Sequence, residues 1–296
     1  MNRGTLFIFL ILLNIWTASS VTLNKNRIKQ MKDSSSSRTQ LVICRKKVDL
    51  IEPDTFFGES QLMKLEMPYN NLKYLRGNLL KDTKNLEEIS FRINQIESID
   101  QRFFSGLEKL QMLRLDYNRL KQIDSKIFND LLSLTFLDLS NNQLHYIDAN
   151  LFSNLNKMKI LNLNNNQLKR FDAFTFKNLK NLEELSLHRN ELTQLDKRIF
   201  QGLSKLGLLR LNSNKLSLID GLFTGLNSLR LLNINNNSVR SISSNSFQYL
   251  EKLSWLDLGK NKIAYINSRA FKGTCNLIYF NLKENLINSD FPYTCE

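Results

Sequence analysis

Six aspartates, Asp100, Asp124, Asp148, Asp172, Asp196 and Asp220, fall 24 residues apart and share one repeat position. A stacked column of carboxylates could hold a hard cation such as calcium, which binds through clustered oxygens. Ser243 and Asn267 continue the column. What Asp, Ser and Asn have in common is a side-chain oxygen that caps a short helical turn. Capping is therefore the expected role, and no metal is expected. The two histidines, His145 and His188, fall at different repeat positions without a paired serine or cysteine nucleophile motif, which leaves acyl transfer no foothold. There is no zinc-spaced cluster or phosphate loop, so neither catalysis nor a cofactor is expected.

A repeat must position these residues. Asn70, Asn94, Asn118, Asn142, Asn166, Asn190 and Asn214 step by 24 residues, Asn237 follows after 23, and Asn261 and Asn285 resume the step. Around each runs the frame LxxLxLxxNxLxxIxxxxFxxL, for example Leu110, Leu113, Leu115, Asn118, Leu120, Ile123, Phe128 and Leu131. Its first half alternates apolar and variable residues, as a short strand with one buried face does, and its second half carries Phe and Leu at helical spacing. One such unit is too small to bury its leucines, but neighbours stacked at about 4.8 Å close a continuous core. An asparagine amide both donates and accepts, so a ladder of them can satisfy backbone groups where the chain turns off each strand. Phe56, Phe104, Phe128, Phe152, Phe176, Phe200, Phe223, Phe247 and Phe271 form a second ladder, with Leu80 in its one gap.

Residues 1–20 read as a secretory signal, with Arg3, an apolar run from Leu6 to Trp16 and small residues at Ala18 and Ser20. Residues 21–40, with Lys25, Arg27, Lys29, Lys32 and Arg38 around a serine run, read as a basic flexible leader. An N-terminal capping half-repeat over 41–61, nine repeats over 62–276, and a truncated tenth repeat with a C-terminal cap over 277–296 complete the reading. No later segment is apolar for long enough to span a membrane, so the mature protein is expected to be secreted and extracellular. The formal charge of +13, or +12 without Arg3, favours acidic partners.

The iterated frame resembles the extracellular, 24-residue class of the leucine-rich-repeat family, found in Toll-type receptor ectodomains, small leucine-rich proteoglycans and insect short leucine-rich immune proteins. The resemblance covers residues 41 to 290 or so. It implies an α/β repeat, a horseshoe-shaped solenoid whose parallel β-sheet lines the concave side and binds proteins or glycans. Val42-Ile43-Cys44 resembles the end of an N-terminal cysteine cap whose upstream cysteines are missing, and Cys275 with Cys295 resembles half of a C-terminal one.

One variable strand column is unusually apolar: Lys64, Glu88, Met112, Phe136, Ile160, Glu184, Leu208, Leu231, Trp255 and Tyr279. A stripe of this kind is expected to be a partner site with Trp255 and Tyr279 as anchors, or else to extend the core by packing under neighbouring turns. Beside it lie polar columns of mixed sign, with Arg114, Asp138, Arg210 and Asp257 in one and Arg92, Asp116, His188 and Lys283 in the next. Of three cysteines in an oxidising compartment, Cys275 and Cys295 are placed to staple the last turn, which leaves Cys44 to bridge two chains in a disulfide-linked dimer. Asn236 heads the one acceptor sequon, Asn236-Asn237-Ser238. The expected function is recognition of a protein, glycan or microbial ligand through the concave face, innate-immune in kind, without nucleic acid or a membrane span. A matrix or adhesion protein and a non-catalytic carrier subunit are the alternatives.

Overall fold

The computed structural model describes residues 21–33 and 37–287. Eleven short strands, from Gln40–Val42 to Tyr279–Asn281, lie side by side in one parallel sheet in chain order. Ten of the eleven bury their middle residue, such as Leu113, Leu137 and Leu161, with the flanking two on the other face, and in the last strand Phe280 is half-buried. The register advances by one repeat per strand, pairing Met112 with Phe136 and Phe136 with Ile160. Where the repeat loses a residue, Leu208 still pairs with Leu231. The missing residue falls between Asp220 and Phe223, where Gly221 adopts φ +64° and closes a tighter turn that a side chain would strain.

Each ladder asparagine is a clamp between two turns. Asn118 accepts from the Ile96 N–H at 2.9 Å and donates to the carbonyls of Phe91 at 3.0 Å and Leu115 at 3.0 Å. The same three bonds recur as far as Asn285. The residue before every one of these asparagines has a left-handed backbone, including Ile93 at φ 52° and Asn141 at φ 54°. A β-branched side chain fits that region poorly, whereas Asn enters it readily. We expect Ile93→Asn to raise stability by about 1 kcal/mol, read as a higher midpoint in thermal melting. A lowered midpoint would mean that the contacts of the half-buried Ile93 side chain outweigh its backbone strain.

The phenylalanines fill the opposite half of the core, with Phe223, Phe247 and Phe271 stacked at 6.1 and 5.6 Å. Residues spaced as if for a helix close instead as single turns, with the Phe103 N–H on the Asp100 carbonyl at 2.9 Å and the Ile127 N–H on that of Asp124 at 3.2 Å. A few residues per repeat cannot repay helix nucleation, so the solenoid carries almost no helix. The aspartate column caps these turns: the backbone N–H of Arg102, Lys126, Asn150 and Arg198 donates to the side chains of Asp100, Asp124, Asp148 and Asp196 at 2.8–2.9 Å. Asn267 caps Arg269 at 2.9 Å in the same way. The Arg198 guanidinium also embraces Asp196 and holds its carboxyl down at about 2.

The N-terminal segment departs from the expected flexible leader. Val21–Leu23 is a strand paired with Val48–Ile51, and Lys25–Asp33 is a helix whose Arg27 N–H is capped by Asn24 at 3.1 Å. Val21, Leu23 and Ile28 are buried and cover the open end of the core. Lys32 pairs with Glu59 of the first turn. The count of lysines in this stretch concealed its few apolar residues, which carry enough burial to dock it. Residues 1–20, where the signal is expected, lie outside the described residues. Among the described residues no helix is long and apolar enough to cross a membrane.

Candidate functional site

Strand alternation decides which side chains face out. In Phe136–Asp138 the leucine goes to the core while Phe136 and Asp138 turn to the open sheet face. Parallel pairing then lines up Met112, Phe136, Ile160, Glu184, Leu208, Leu231, Trp255 and Tyr279 as one row across eight adjacent strands. From Met112 to Trp255 these side chains are half-buried, and Tyr279 is 40% exposed. Each thus packs sideways on its neighbours and still offers an edge to solvent. The Trp255 and Tyr279 rings stack at 4.7 Å and 8°, which joins the two aromatic residues into one rigid plate. The Arg114 guanidinium lies over the Phe136 ring at 5.3 Å.

The row begins with charge. Lys64 bridges Glu66 at 3.1 Å and Glu88 at 2.9 Å, and its ammonium is held above the usual lysine range, chiefly by Glu88. Next to the first apolar residues sits a tighter polar group. Asp116 is buried, and Arg92 Nε approaches its Oδ2 at 3.3 Å without the alignment of a hydrogen bond. Burial, followed by the charge of Asp138 on the next strand, pushes the Asp116 carboxyl up from its ordinary value. Arg92 Nε, Arg114 Nε and Asp116 Oδ1 are buried without a protein hydrogen-bond partner. Further along, burial and then Arg210 and Arg189 lower the imidazole of His188, whose Nδ1 is likewise unpartnered.

At the far end, Asp257 Oδ1 accepts from the Gly259 N–H at 3.0 Å, Asn281 at 2.8 Å and Asn235 at 3.3 Å. Both amides fold over Gly259, where a Cβ would lie 2.5 Å from Asn281 Nδ2 and 3.0 Å from Asn235 Nδ2. This clamp escaped sequence reasoning. Its one signal is a glycine in a column filled elsewhere by Arg92, Asp116 and His188.

The remaining expected sites lie away from the sheet face. Asn236 is exposed in the left-handed turn before the ladder, with its Nδ2 3.3 Å from Ser213 Oγ. Cys44 is a free, half-buried thiol beside the first strand, so it must come further into solvent to meet a second chain. Cys275 is disulfide-bonded, while Cys295 lies outside the described residues.

The sequence matches, in six copies, the family described as BspA type Leucine rich repeat region, over residues 16–94, 34–159, 73–206 and 169–295. No curated protein matches it. Among solved structures it is similar to a chain of the TLR13-ssRNA13 complex, with 26% identity, a TM-score of 0.77 and coverage of 92% of this chain and 43% of that one. A chain of the octameric complex of Latrophilin 3, Unc5D and FLRT2 is 23% identical, with a TM-score of 0.76 and coverage of 86% and 78%. A chain of the glycosylated Drosophila Toll–Spatzle complex is 24% identical, with a TM-score of 0.73 and coverage of 90% and 41%. The protein thus spans less than half the length of the TLR13 and Toll complex chains.

Proposed function

Since the chain belongs to the BspA-type leucine-rich-repeat family, we propose that it is a secreted, non-enzymatic recognition protein that binds a protein or microbial ligand through its concave face, in innate immunity. The observation that carries this reading is the apolar row from Met112 to Tyr279, ending in the stacked Trp255–Tyr279 plate. Apolar and aromatic residues in a polar surround make an interface core and its rim. The mixed charges of Arg92, Arg114, Asp116 and Asp138 beside the row supply orientation. Chains of similar fold sit in complexes with ssRNA or with Spatzle, which makes ligand capture a natural use of this architecture. A bridge between Cys275 and Cys295 belongs to the same reading, as a staple on the last turn.

The test is affinity capture from the fluid of the secreting tissue, with the wild-type protein and a Trp255→Ser, Tyr279→Ser variant as paired baits. A single stoichiometric partner held by the wild type, weakened about tenfold or more in the variant at unchanged thermal stability, supports the concave face. Intact capture by a destabilised variant would assign the row to the core.

A further inference from the structure

The concave face does not hold the protein's positive charge. Its three outward strand columns, from Lys64 to Lys283, carry five Lys and Arg against six Asp and Glu. The excess sits on the adjoining flank, where the chain turns off each strand. Counted from the residue before each ladder asparagine to the fourth after it, with Arg45 to Leu50 as the first segment, that flank has thirteen Lys and Arg against four Asp and Glu. Of the four acids, Glu191 is matched by Lys215 at 3.1 Å and Glu284 by Lys260 at 3.6 Å. Lys73, Arg119, Lys121, Lys169, Arg170 and Arg240 are exposed and stand outside every ion pair among the described residues.

The charge has a pitch. From Lys73 on it is densest on alternate turns, at Lys73, then Arg119 with Lys121, Lys169 with Arg170, Lys215, and Lys260 with Lys262, while Arg189 and Arg240 stand singly on turns between and Arg45, Lys46 and Lys47 crowd the first. Two turns are about 10 Å at strand spacing, a step comparable with one disaccharide of a linear polysaccharide. Uncharged amides stand on turns between, at Gln95, Asn141 and Gln143, and beside Lys169 and Arg170, at Asn165 and Gln167. It also displays five of the chain's 8 tyrosines, Tyr69, Tyr74, Tyr117, Tyr146 and Tyr265, each between 41% and 61% exposed.

We propose that this flank binds a linear sulfated polysaccharide lying along the solenoid axis, across the turns. Lysine and arginine meet the sulfates, the amides meet hydroxyls, and the tyrosine rings offer flat apolar faces to the sugar rings. A single-stranded nucleic acid carries a charge at every residue and uses successive stacking platforms along a continuous basic groove. Charge densest on every second turn, with neutral amides beside and between the clusters, fits the alternation of sulfated and hydroxyl-bearing sugars better. The surface is separate from the Met112–Tyr279 row, so either can fail without the other.

The probe is a heparin oligosaccharide long enough to cross six turns, titrated into the intact protein. A variant with Arg119→Glu, Lys121→Glu, Lys169→Glu and Arg170→Glu is compared with a control carrying Lys157→Glu, Lys177→Glu, Lys180→Glu and Lys205→Glu, which changes the net charge equally at exposed positions outside the flank. The flank variant is expected to bind about tenfold more weakly or worse, and the control to stay within roughly threefold of wild type. Trp255→Ser, Tyr279→Ser should leave oligosaccharide affinity untouched. Glutamine at the same four flank positions replaces glutamate if the reversed charges prevent folding. Equal losses in flank variant and control would show that net charge alone attracts the polymer and overturn the proposal. So would equal affinity for fully desulfated heparin, or tighter binding of single-stranded DNA of matched charge.

Discussion

Replacing Asn166 with leucine is expected to destabilise the protein by about 4 kcal/mol, although leucine is apolar and the site is buried. Asn166 accepts from the Leu144 N–H at 3.0 Å and donates to the carbonyls of Leu139 at 3.0 Å and Leu163 at 3.1 Å. None of these three groups has a route to water, and each stranded polar group costs roughly 1–3 kcal/mol. Asn166→Asp is the sharper test because it preserves shape and the acceptor oxygen. It turns the donating amide into a carboxylate oxygen facing two carbonyls, so the damage at neutral pH should match or exceed that of leucine. Protonation would restore one donor and relieve part of the loss in acid. Urea unfolding of both variants measures this, and a cost under about 1 kcal/mol for either would mean that the ladder is not what satisfies these groups.

Phe247→Ala is expected to cost about 3–5 kcal/mol and to act in one direction along the molecule. Its ring is fully buried and stacks on Phe223 at 6.1 Å and on Phe271 at 5.6 Å. Alanine leaves a cavity and breaks both stacks. A solenoid turn is held mainly by its neighbours, and Phe247 has only two described turns beyond it towards the C-terminus. The damage should therefore appear as fraying of that end. Hydrogen exchange should quicken around Trp255 and Tyr279 while the turns near Phe128 keep their protection. Uniform acceleration along the whole chain would point to a single cooperative unit instead.

The register was legible in the sequence because it is written in residue types that do one job each. Asparagine at a fixed step requires a clamp, and Leu113 or Leu137 between variable residues requires a strand with one buried face. The outward row followed from that register alone. How far each row member emerges did not, because half-burial depends on the width of its neighbours: Trp255 is shielded by Tyr279, a contact between residues 24 apart in the chain. The Gly259 clamp was invisible for the same reason, since it joins three consecutive turns through two amides and one carboxylate. Helical spacing on the convex side misled because it fixes a periodicity without fixing a length. At the N-terminus, composition averaged over 21–40 drowned Val21, Leu23 and Ile28, whose position next to an uncovered core matters more than their number.

The ladder also gives the molecule a direction. Each asparagine reaches backwards, to the turn before its own, as Asn118 does to Phe91 and Ile96. A turn's last open carbonyl and N–H are therefore closed by its successor. On a ribosome, where the chain appears from its N-terminus, every turn waits for the next asparagine to emerge, and order advances one repeat behind synthesis. Assembly runs like a ratchet with its pawl on the following tooth.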